Sequence, residues 1–339
     1  MLSLKLPRLM EIHEVPKDFW EESIISGYRS PRSSITDCIL SLFQLNNETL
    51  NIWTHFLAAW YFLWRLFVFT QTNDVWRDSY TWPAMAYMVT CCGYPLASSF
   101  AHTFSTMSVF TRHICFFIDY AALSLYSLGS GIAYSAYIFP DKWVSSSLHH
   151  VYVPFSVCNS LISVTLACWS RLTEPGSPKL SKAVRILAFT YPYLYDSIPL
   201  LYRMFLCSGK GCTYNQTVPS HCVHLLLAAV TVTLFTLHLP ERLAPGRFDY
   251  VGHSHQLFHL SSVLATITQL EAILMDMQLR RGHKATLGRI SPSVASSWGA
   301  LVMGIVLNLI AITAFSLHLL TFLQSPCGII RYKNRVKQG

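Results

Sequence analysis

Long apolar runs separated by short polar stretches dominate this chain. A helix needs about 20 mostly apolar residues to cross a membrane, and eight runs of suitable length follow one another along the sequence. They cover residues 52–70, 82–105, 114–139, 151–170, 184–206, 221–239, 253–275 and 295–323. The pattern predicts an all-α, polytopic membrane bundle of eight spans.

Composition supports a membrane protein and argues against a soluble one. Of the 339 residues, 52% are hydrophobic and only 12% are charged, whereas soluble domains carry roughly twice that charged fraction. The net charge of +8 is not gathered into a basic stripe or a nucleic-acid-binding motif. Nucleic acid is therefore not an expected partner, and lysines and arginines on the cytoplasmic side of a membrane account better for the excess.

The distribution of basic residues predicts the orientation in the membrane. If the N-terminus is inside, sixteen Lys and Arg residues fall on its side and eight on the opposite side, when Arg65 in the first span is left out. The positive-inside rule then favours two cytoplasmic termini, although the basic residues from Arg280 to Arg289 oppose it. We expect a cytoplasmic N-terminal segment (1–51) with one or two surface helices, a transmembrane bundle (52–323) and a cytoplasmic tail (324–339). No cleavable signal peptide is visible, so the first run is expected to be an uncleaved anchor.

Two further features bear on the loops. The glycosylation sequon at Asn215 falls outside in this topology, whereas the sequon at Asn47 falls inside and should be unused. Cys207 and Cys212 flank a short polar loop and are candidates for one disulfide. Most other cysteines lie within apolar runs and are expected to behave as small buried hydrophobic residues.

The strongest chemical signal is the segment His255-Gln256-Leu257-Phe258-His259 at the start of the seventh run. Ionisable groups inside a bilayer are costly and by default mark a functional site. Positions i and i+4 share one helix face, and two neutral imidazoles there suit Zn²⁺. The alternative is a pair of hydrogen-bonded or interfacial histidines.

Other polar residues are expected at the same membrane face. His102 ends the second span, Asp119 lies near the start of the third, and His255 and His259 open the seventh. Three histidines with one open position are typical of a catalytic zinc site, in which Asp119 would hold the water or take its proton. Ser98 shares the helix face of His102 and is a candidate for orienting a ligand or a substrate carbonyl. The alternative is a polar network that joins three helices.

The remaining polar residues within the spans carry less weight. Asp196, in a proline-rich part of the fifth span, either binds a ligand in a cavity or is a structural partner for a neighbouring helix. Arg65, Arg203 and Glu271 lie nearer the span ends, and we expect them to snorkel to the membrane surface.

The polar stretch before the seventh span has two interpretations. His238 and Glu241 are close in sequence to the proposed site and could take part in it. We favour the simpler expectation that Glu241 forms a solvated loop of ion pairs with Arg242, Arg247 and Asp249.

With these residues the chain resembles the progestin and adipoQ receptor family, and its membrane progestin receptor branch of gamma or delta type. The resemblance extends over about residues 28 to 276. The family resemblance rests on the blocks Asn47-Glu48-Thr49-Leu50-Asn51-Ile52-Trp53-Thr54-His55, Ser98-Ser99-Phe100-Ala101-His102-Thr103-Phe104, Asp119-Tyr120, His238-Leu239-Pro240-Glu241-Arg242 and His253-Ser254-His255-Gln256-Leu257-Phe258-His259. The resemblance to the branch rests on Met1-Leu2-Ser3-Leu4-Lys5-Leu6-Pro7, on Leu243-Ala244-Pro245-Gly246-Arg247-Phe248-Asp249-Tyr250 and on the eighth run.

The resemblance implies a seven-helix core with the N-terminus inside and a zinc ion near the cytoplasmic face. In the adiponectin-receptor relatives three histidines bind the metal, and His102, His255 and His259 match them. Asp119 and Ser98 match the other site positions of the family. The eighth run is then an additional C-terminal span.

Two functions are compatible with this resemblance. The favoured one is a plasma-membrane progestin receptor that mediates rapid, non-genomic signalling, with heterotrimeric G proteins as partners. The alternative is a zinc-dependent lipid amide hydrolase that attacks a ceramide-like lipid with zinc-bound water, using Asp119 and Ser98 as catalytic residues. The two can coexist if the receptor signals through a released lipid product.

Overall fold

The computed structural model describes residues 6–174, 176–208, 212, 217–282 and 292–325. Within these residues the backbone forms nine α-helices and no β-strand. The helices are α1 (Ile35–Leu40), α2 (Thr49–Thr72), α3 (Trp82–Phe104), α4 (Val109–Tyr137), α5 (Ser147–Thr173), α6 (Pro178–Leu201), α7 (Val218–Leu237), α8 (Ser254–Gly282) and α9 (Ala300–Gln324). Each predicted span corresponds to one helix from α2 to α9, so the predicted all-α class is confirmed.

The outer surface of the bundle is that of a membrane protein. Within the described residues, six helices are long and apolar enough to cross a membrane: α2, α4, α5, α7, α8 and α9 with the turn before it. On α2 the large side chains of Trp60, Trp64 and Phe67 are each more than half exposed, whereas many hydroxyl, amide and charged groups face the interior. Apolar residues outside and polar residues inside suit a bundle that lipid surrounds. The chain is a multi-pass membrane protein.

Helix α4 lies at the centre of this bundle and packs against α3, α5, α6, α8 and α9. Two glycines allow its neighbours to approach closely. A Cβ atom at Gly129 would lie 2.3 Å from Thr90 Oγ1, and one at Gly131 would lie 2.6 Å from Ser156 Oγ. Helix α2 packs against both α3 and α8, which joins the first and last members of a seven-helix core, α2 to α8.

The eighth long helix, α9, packs on the outside of this core against α4 and α5. Its buried Asn308 accepts a hydrogen bond from Ser124 Oγ on α4 at 2.7 Å. The Asn308 amide also donates to Ser160 Oγ on α5 at 2.9 Å. Because lipid offers no partner for an amide, these bonds hold α9 in one register on the core.

Replacing Asn308 by leucine should therefore weaken the docking of α9. Hydrogen bonds between membrane helices contribute about 0.6 to 1.7 kcal/mol, so we expect the free energy of unfolding in detergent to fall by an amount in that range. Thr313→Leu is the matched control, because Thr313 is exposed on the same helix and its hydroxyl donates to the Leu309 carbonyl oxygen one turn earlier, with no bond to another helix among the described residues. Equal unfolding curves for the two variants would mean that Asn308 does not hold the helix.

The N-terminal segment crosses one end of the bundle. The buried guanidinium of Arg29 donates to the carbonyl oxygens of Thr103, at 2.8 Å, and His102, at 2.5 Å. A cation at this position complements the negative C-terminal end of α3. Asp249 accepts hydrogen bonds from the Ser26 amide, at 2.7 Å, and hydroxyl, at 2.8 Å. Of the one or two surface helices expected here, the described part of the segment forms one α-helix, the six-residue α1.

The prediction that Arg203 snorkels to the membrane surface is wrong. Its side chain is 2% exposed, and it donates to both carboxylate oxygens of Asp276, at 3.0 and 3.1 Å. Helix α8 continues to Gly282, beyond the predicted end of its run, and so brings Asp276 to the depth of Arg203. Arg65 and Glu271 form an ion pair with each other. The prediction that each snorkels to the membrane surface did not include this pair.

The predicted disulfide between Cys207 and Cys212 is present. Asn47 is 5% exposed in the folded chain, and the expectation that its sequon is unused stays a prediction. Asn215 lies outside the described residues, and its glycosylation stays a prediction.

Candidate metal centre

Three histidines from two helices converge at the end of the bundle that the N-terminal segment covers. His102 lies in the last turn of α3, and His255 and His259 lie in the first two turns of α8. One ring nitrogen from each lies within 4.8 Å of the others. The order of the spans predicts these residues at one membrane level, and the structure adds their lateral contact.

The donor set and its spacing fit a zinc ion. Tetrahedral zinc with Zn–N distances of about 2.0–2.1 Å sets neighbouring ligand nitrogens about 3.3 Å apart. Nε2 of His102 and Nε2 of His255 are 3.2 Å apart. Two imidazole nitrogens this close need a shared proton or a cation between them. Three neutral imidazoles suit zinc and leave a fourth position open, so zinc binding stays a prediction that the geometry permits.

Groups at the start of α2 orient two of the rings. Glu48 Oε2 lies 2.8 Å from Nδ1 of His102, and the Asn51 carbonyl oxygen lies 3.0 Å from Nδ1 of His259. An acceptor at Nδ1 fixes the tautomer that leaves Nε2 free to bind a metal. Burial raises the pKa of the Glu48 carboxyl, but His102 and Arg29 outweigh this effect and hold that pKa well below its usual range. Glu48 therefore acts as a charged acceptor.

A fourth histidine, His55, packs against the three candidate metal ligands but is not one of them. Its ring is stacked on that of His259, with centroids 3.7 Å apart, and it is 3% exposed. Nε2 of His55 faces the Ser262 hydroxyl at 3.5 Å. No role is predicted from the sequence for Glu48, Asn51 or His55, although all three lie in one of the blocks that carry the family resemblance. Glu48 and Asn51 are three residues apart, and Asn51 and His55 are four apart. This spacing puts all three on one helix face and is the signal that could have found them.

The expectation of a solvated ion-pair loop around Glu241 is wrong. Glu241 is 2% exposed and Asp249 is 1% exposed. Glu241 accepts hydrogen bonds from the backbone amide of Ser254, at 2.7 Å, and from its hydroxyl. Its carboxylate thus satisfies the first turn of α8 and complements the positive end of the helix. Both residues act structurally. Glu241 fixes the turn that carries His255, and Asp249 holds the N-terminal segment.

Ser98 and Asp119 lie at the same end of the bundle as the histidines. Ser98 is buried one turn before His102 on α3. Asp119, on α4, is partly buried and lies within electrostatic reach of His102 and Arg171. Among the described residues, neither side chain makes a hydrogen bond, so both polar groups remain available for other partners. Their catalytic roles stay predictions.

Asp196 lies elsewhere in the interior, where hydroxyl groups from two helices surround it. Ser127 on α4 donates to Oδ2 at 2.5 Å, and Ser156 on α5 donates to Oδ1 at 3.4 Å. These contacts agree with the structural-partner interpretation, since they join α6 to both neighbours. A ligand-binding role for Asp196 stays a prediction.

Comparison with known proteins identifies the family. Residues 43–270 match the model of the haemolysin-III-related family. The chain is 54% identical to membrane progestin receptor gamma-B of Danio rerio, over 94% of this chain and 96% of that protein. It is 51% identical to membrane progestin receptor delta of Homo sapiens, over 98% and 96% of the two chains. Identity to membrane progestin receptor alpha-B of Danio rerio is 32%, over 82% and 78%.

The region matched by the family model includes Glu48, His102, His255 and His259, and with them the whole candidate metal centre. Identity is higher to the gamma and delta proteins than to the alpha protein. The chain therefore belongs to the haemolysin-III-related family, which includes the progestin and adipoQ receptors, and within it to the membrane progestin receptor branch of gamma and delta type.

Proposed function

We propose that this chain is a plasma-membrane receptor for a progestin steroid, with a cytoplasmic N-terminus, and that it signals through heterotrimeric G proteins. The observation that carries the proposal is similarity over almost the whole chain to proteins named membrane progestin receptors gamma and delta. The excess of basic residues on the side of the N-terminus supports the orientation.

The physical character of the bundle interior also supports a steroid ligand. A progestin is a rigid apolar molecule with carbonyl acceptors, and it reaches a membrane bundle by partitioning into the bilayer. The buried Gln269 amide accepts from Tyr87, at 2.8 Å, and Tyr126, at 2.5 Å, and donates to Ser130 and Tyr134. The Ser130 and Tyr134 hydroxyls accept these bonds, and their own hydrogens have no acceptor among the described residues. Hydroxyl donors of this kind in apolar surroundings suit a steroid carbonyl.

Binding to the purified chain tests the proposal. We expect the full-length protein in lipid nanodiscs to bind radiolabelled progesterone saturably, with an oestrogen and a glucocorticoid competing more weakly. Empty nanodiscs are the essential control, because steroids partition into lipid by themselves. Uptake equal to that of empty nanodiscs would rule out a progestin receptor.

A zinc-dependent lipid amide hydrolase is a second candidate, favoured by the position of Asp119. Its carboxylate is within electrostatic reach of His102 and forms no hydrogen bond among the described residues. A zinc ion bound by the three histidines supplies Lewis acidity at neutral pH. Asp119 would accept a proton from the attacking water, and Ser98 would orient the amide carbonyl of a ceramide-like lipid.

A further inference from the structure

Three arginines gather around two aromatic rings at the end of the bundle that carries the histidines. Arg112 lies near the start of α4, Arg171 near the end of α5 and Arg185 in the second turn of α6. Cζ of Arg171 lies 4.1 Å from the ring centre of Phe116, and Cζ of Arg112 lies 5.3 Å from it. Cζ of Arg185 lies 5.7 Å from the ring centre of Tyr120. We call Arg112, Arg171 and Arg185 the arginine cluster.

The cluster has more hydrogen-bond donors than partners. The three side chains are 7%, 12% and 14% exposed. Arg112 donates from one terminal nitrogen to Glu21, and its buried Nε has no partner. Arg171 makes no hydrogen bond within the described part of the chain, and its Nε is likewise buried and unpartnered. Buried donors without acceptors are uncommon in folded proteins and call for an explanation.

The neighbouring carboxylates do not complete the cluster. Glu174 Oε2 lies 3.0 Å from Arg185 but 3.9 Å from Arg171, beyond hydrogen-bond distance. Glu174 and Glu21 each keep nearly half of their side chain exposed to solvent, so their attraction to the arginines is screened. Within the described part of the chain, Arg171 therefore feels the charges of Glu174 and Asp119 but makes no hydrogen bond to either, in a site that is largely closed to water.

Guanidinium groups in this arrangement suit a phosphate group. The aromatic rings contact the guanidinium groups of all three arginines by cation–π interaction. Planar N–H edges match pairs of phosphate oxygens in bidentate geometry. A phosphate monoester offers three terminal oxygens and a charge of about −1.5 to −2, which matches several guanidinium groups better than one carboxylate does.

The surroundings of the cluster indicate that the phosphate belongs to a lipid. Trp169, two residues before Arg171, and Leu187, two residues after Arg185, are both exposed on the outer surface of the bundle. Trp is enriched at the membrane–water interface, and an acyl chain has an apolar path along these side chains. We propose that the arginine cluster binds the phosphate monoester headgroup of an anionic membrane lipid. This site requires neither steroid binding nor zinc.

The test uses the full-length protein and phosphatidic acid as the probe. Native mass spectrometry of the protein in phosphatidylcholine nanodiscs gives the affinity for added phosphatidic acid. We expect Arg171→Gln to weaken binding at least about tenfold, because hydrogen bonds between charged groups are the strong ones. Arg242→Gln is the matched control, because Arg242 is exposed and outside the cluster, and it should bind as wild type does. Equal affinity of Arg171→Gln and wild type would overturn the proposal.

A second variant is expected to change the affinity in the opposite direction, which misfolding of Arg171→Gln could not mimic. Glu174→Gln removes the carboxylate that competes for Arg171 and Arg185, so we expect it to bind phosphatidic acid more tightly than wild type. Unchanged or weaker binding would contradict the assignment. Soluble glycerol 3-phosphate tests the source of the phosphate: competition as strong as that of phosphatidic acid would exclude a lipid ligand, whereas much weaker competition supports one.

Discussion

We expect the substitution His259→Ala to abolish zinc binding by this protein. We expect purified wild type to carry one zinc ion per chain and His259→Ala to carry almost none, because two remaining imidazoles cannot hold a tetrahedral site closed. Elemental analysis of protein exchanged into metal-free buffer measures the difference. His150→Ala is the matched control, since His150 is exposed and far along the chain from the three candidate ligands.

A graded variant separates metal ligation from simple loss of packing. Glu48→Gln keeps the shape beside His102 but removes the charged acceptor at Nδ1. Outer partners of metal-bound histidines typically contribute 10- to 100-fold to metal affinity, so we expect a loss of about that size in competition with a chelator. If wild type and His259→Ala hold equal zinc, the histidines form only a hydrogen-bonded network, which is the alternative that the sequence had left open.

The apolar runs located every long helix because the bilayer imposes a length and a composition on each span. The same reasoning placed His102, His255 and His259 at one depth, since even numbers of crossings return the chain to one face. It could not predict lateral neighbours. Asp276 lay beyond the end of its apolar run, so the burial of Arg203 against it had no signal in hydropathy.

The loops were predicted least well, and the reason is physical. A charged loop residue looks the same in sequence whether water or a helix end satisfies it. Glu241 was expected in a solvated loop, yet its carboxylate binds the first turn of α8. Arg29 likewise binds the last carbonyls of α3. These long-range contacts fix the helix ends that carry the three histidines, and no local pattern reports them.

The variant Asp119→Asn distinguishes the two proposed functions. Asparagine keeps the shape and hydrogen-bonding ability of aspartate but cannot take a proton. For a receptor that needs only steroid occupancy, we expect unchanged zinc content, progesterone affinity close to that of wild type and most of the signalling response. For a hydrolase, loss of the general base should lower the rate of ceramide cleavage about 10²–10⁴-fold. Parallel assays of the purified protein and of cells that express it measure both quantities.

We expect the receptor outcome, because similarity to the membrane progestin receptors extends over nearly the whole chain, whereas the case for hydrolysis rests on a few polar groups. Asp74→Asn is the matched control, since Asp74 is exposed and outside the candidate metal centre. The decisive contrary result is Asp119→Asn with normal zinc and normal progesterone affinity but neither lipid cleavage nor response. Steroid occupancy alone could not then be the signal, and the protein would be a lipid hydrolase that a steroid regulates.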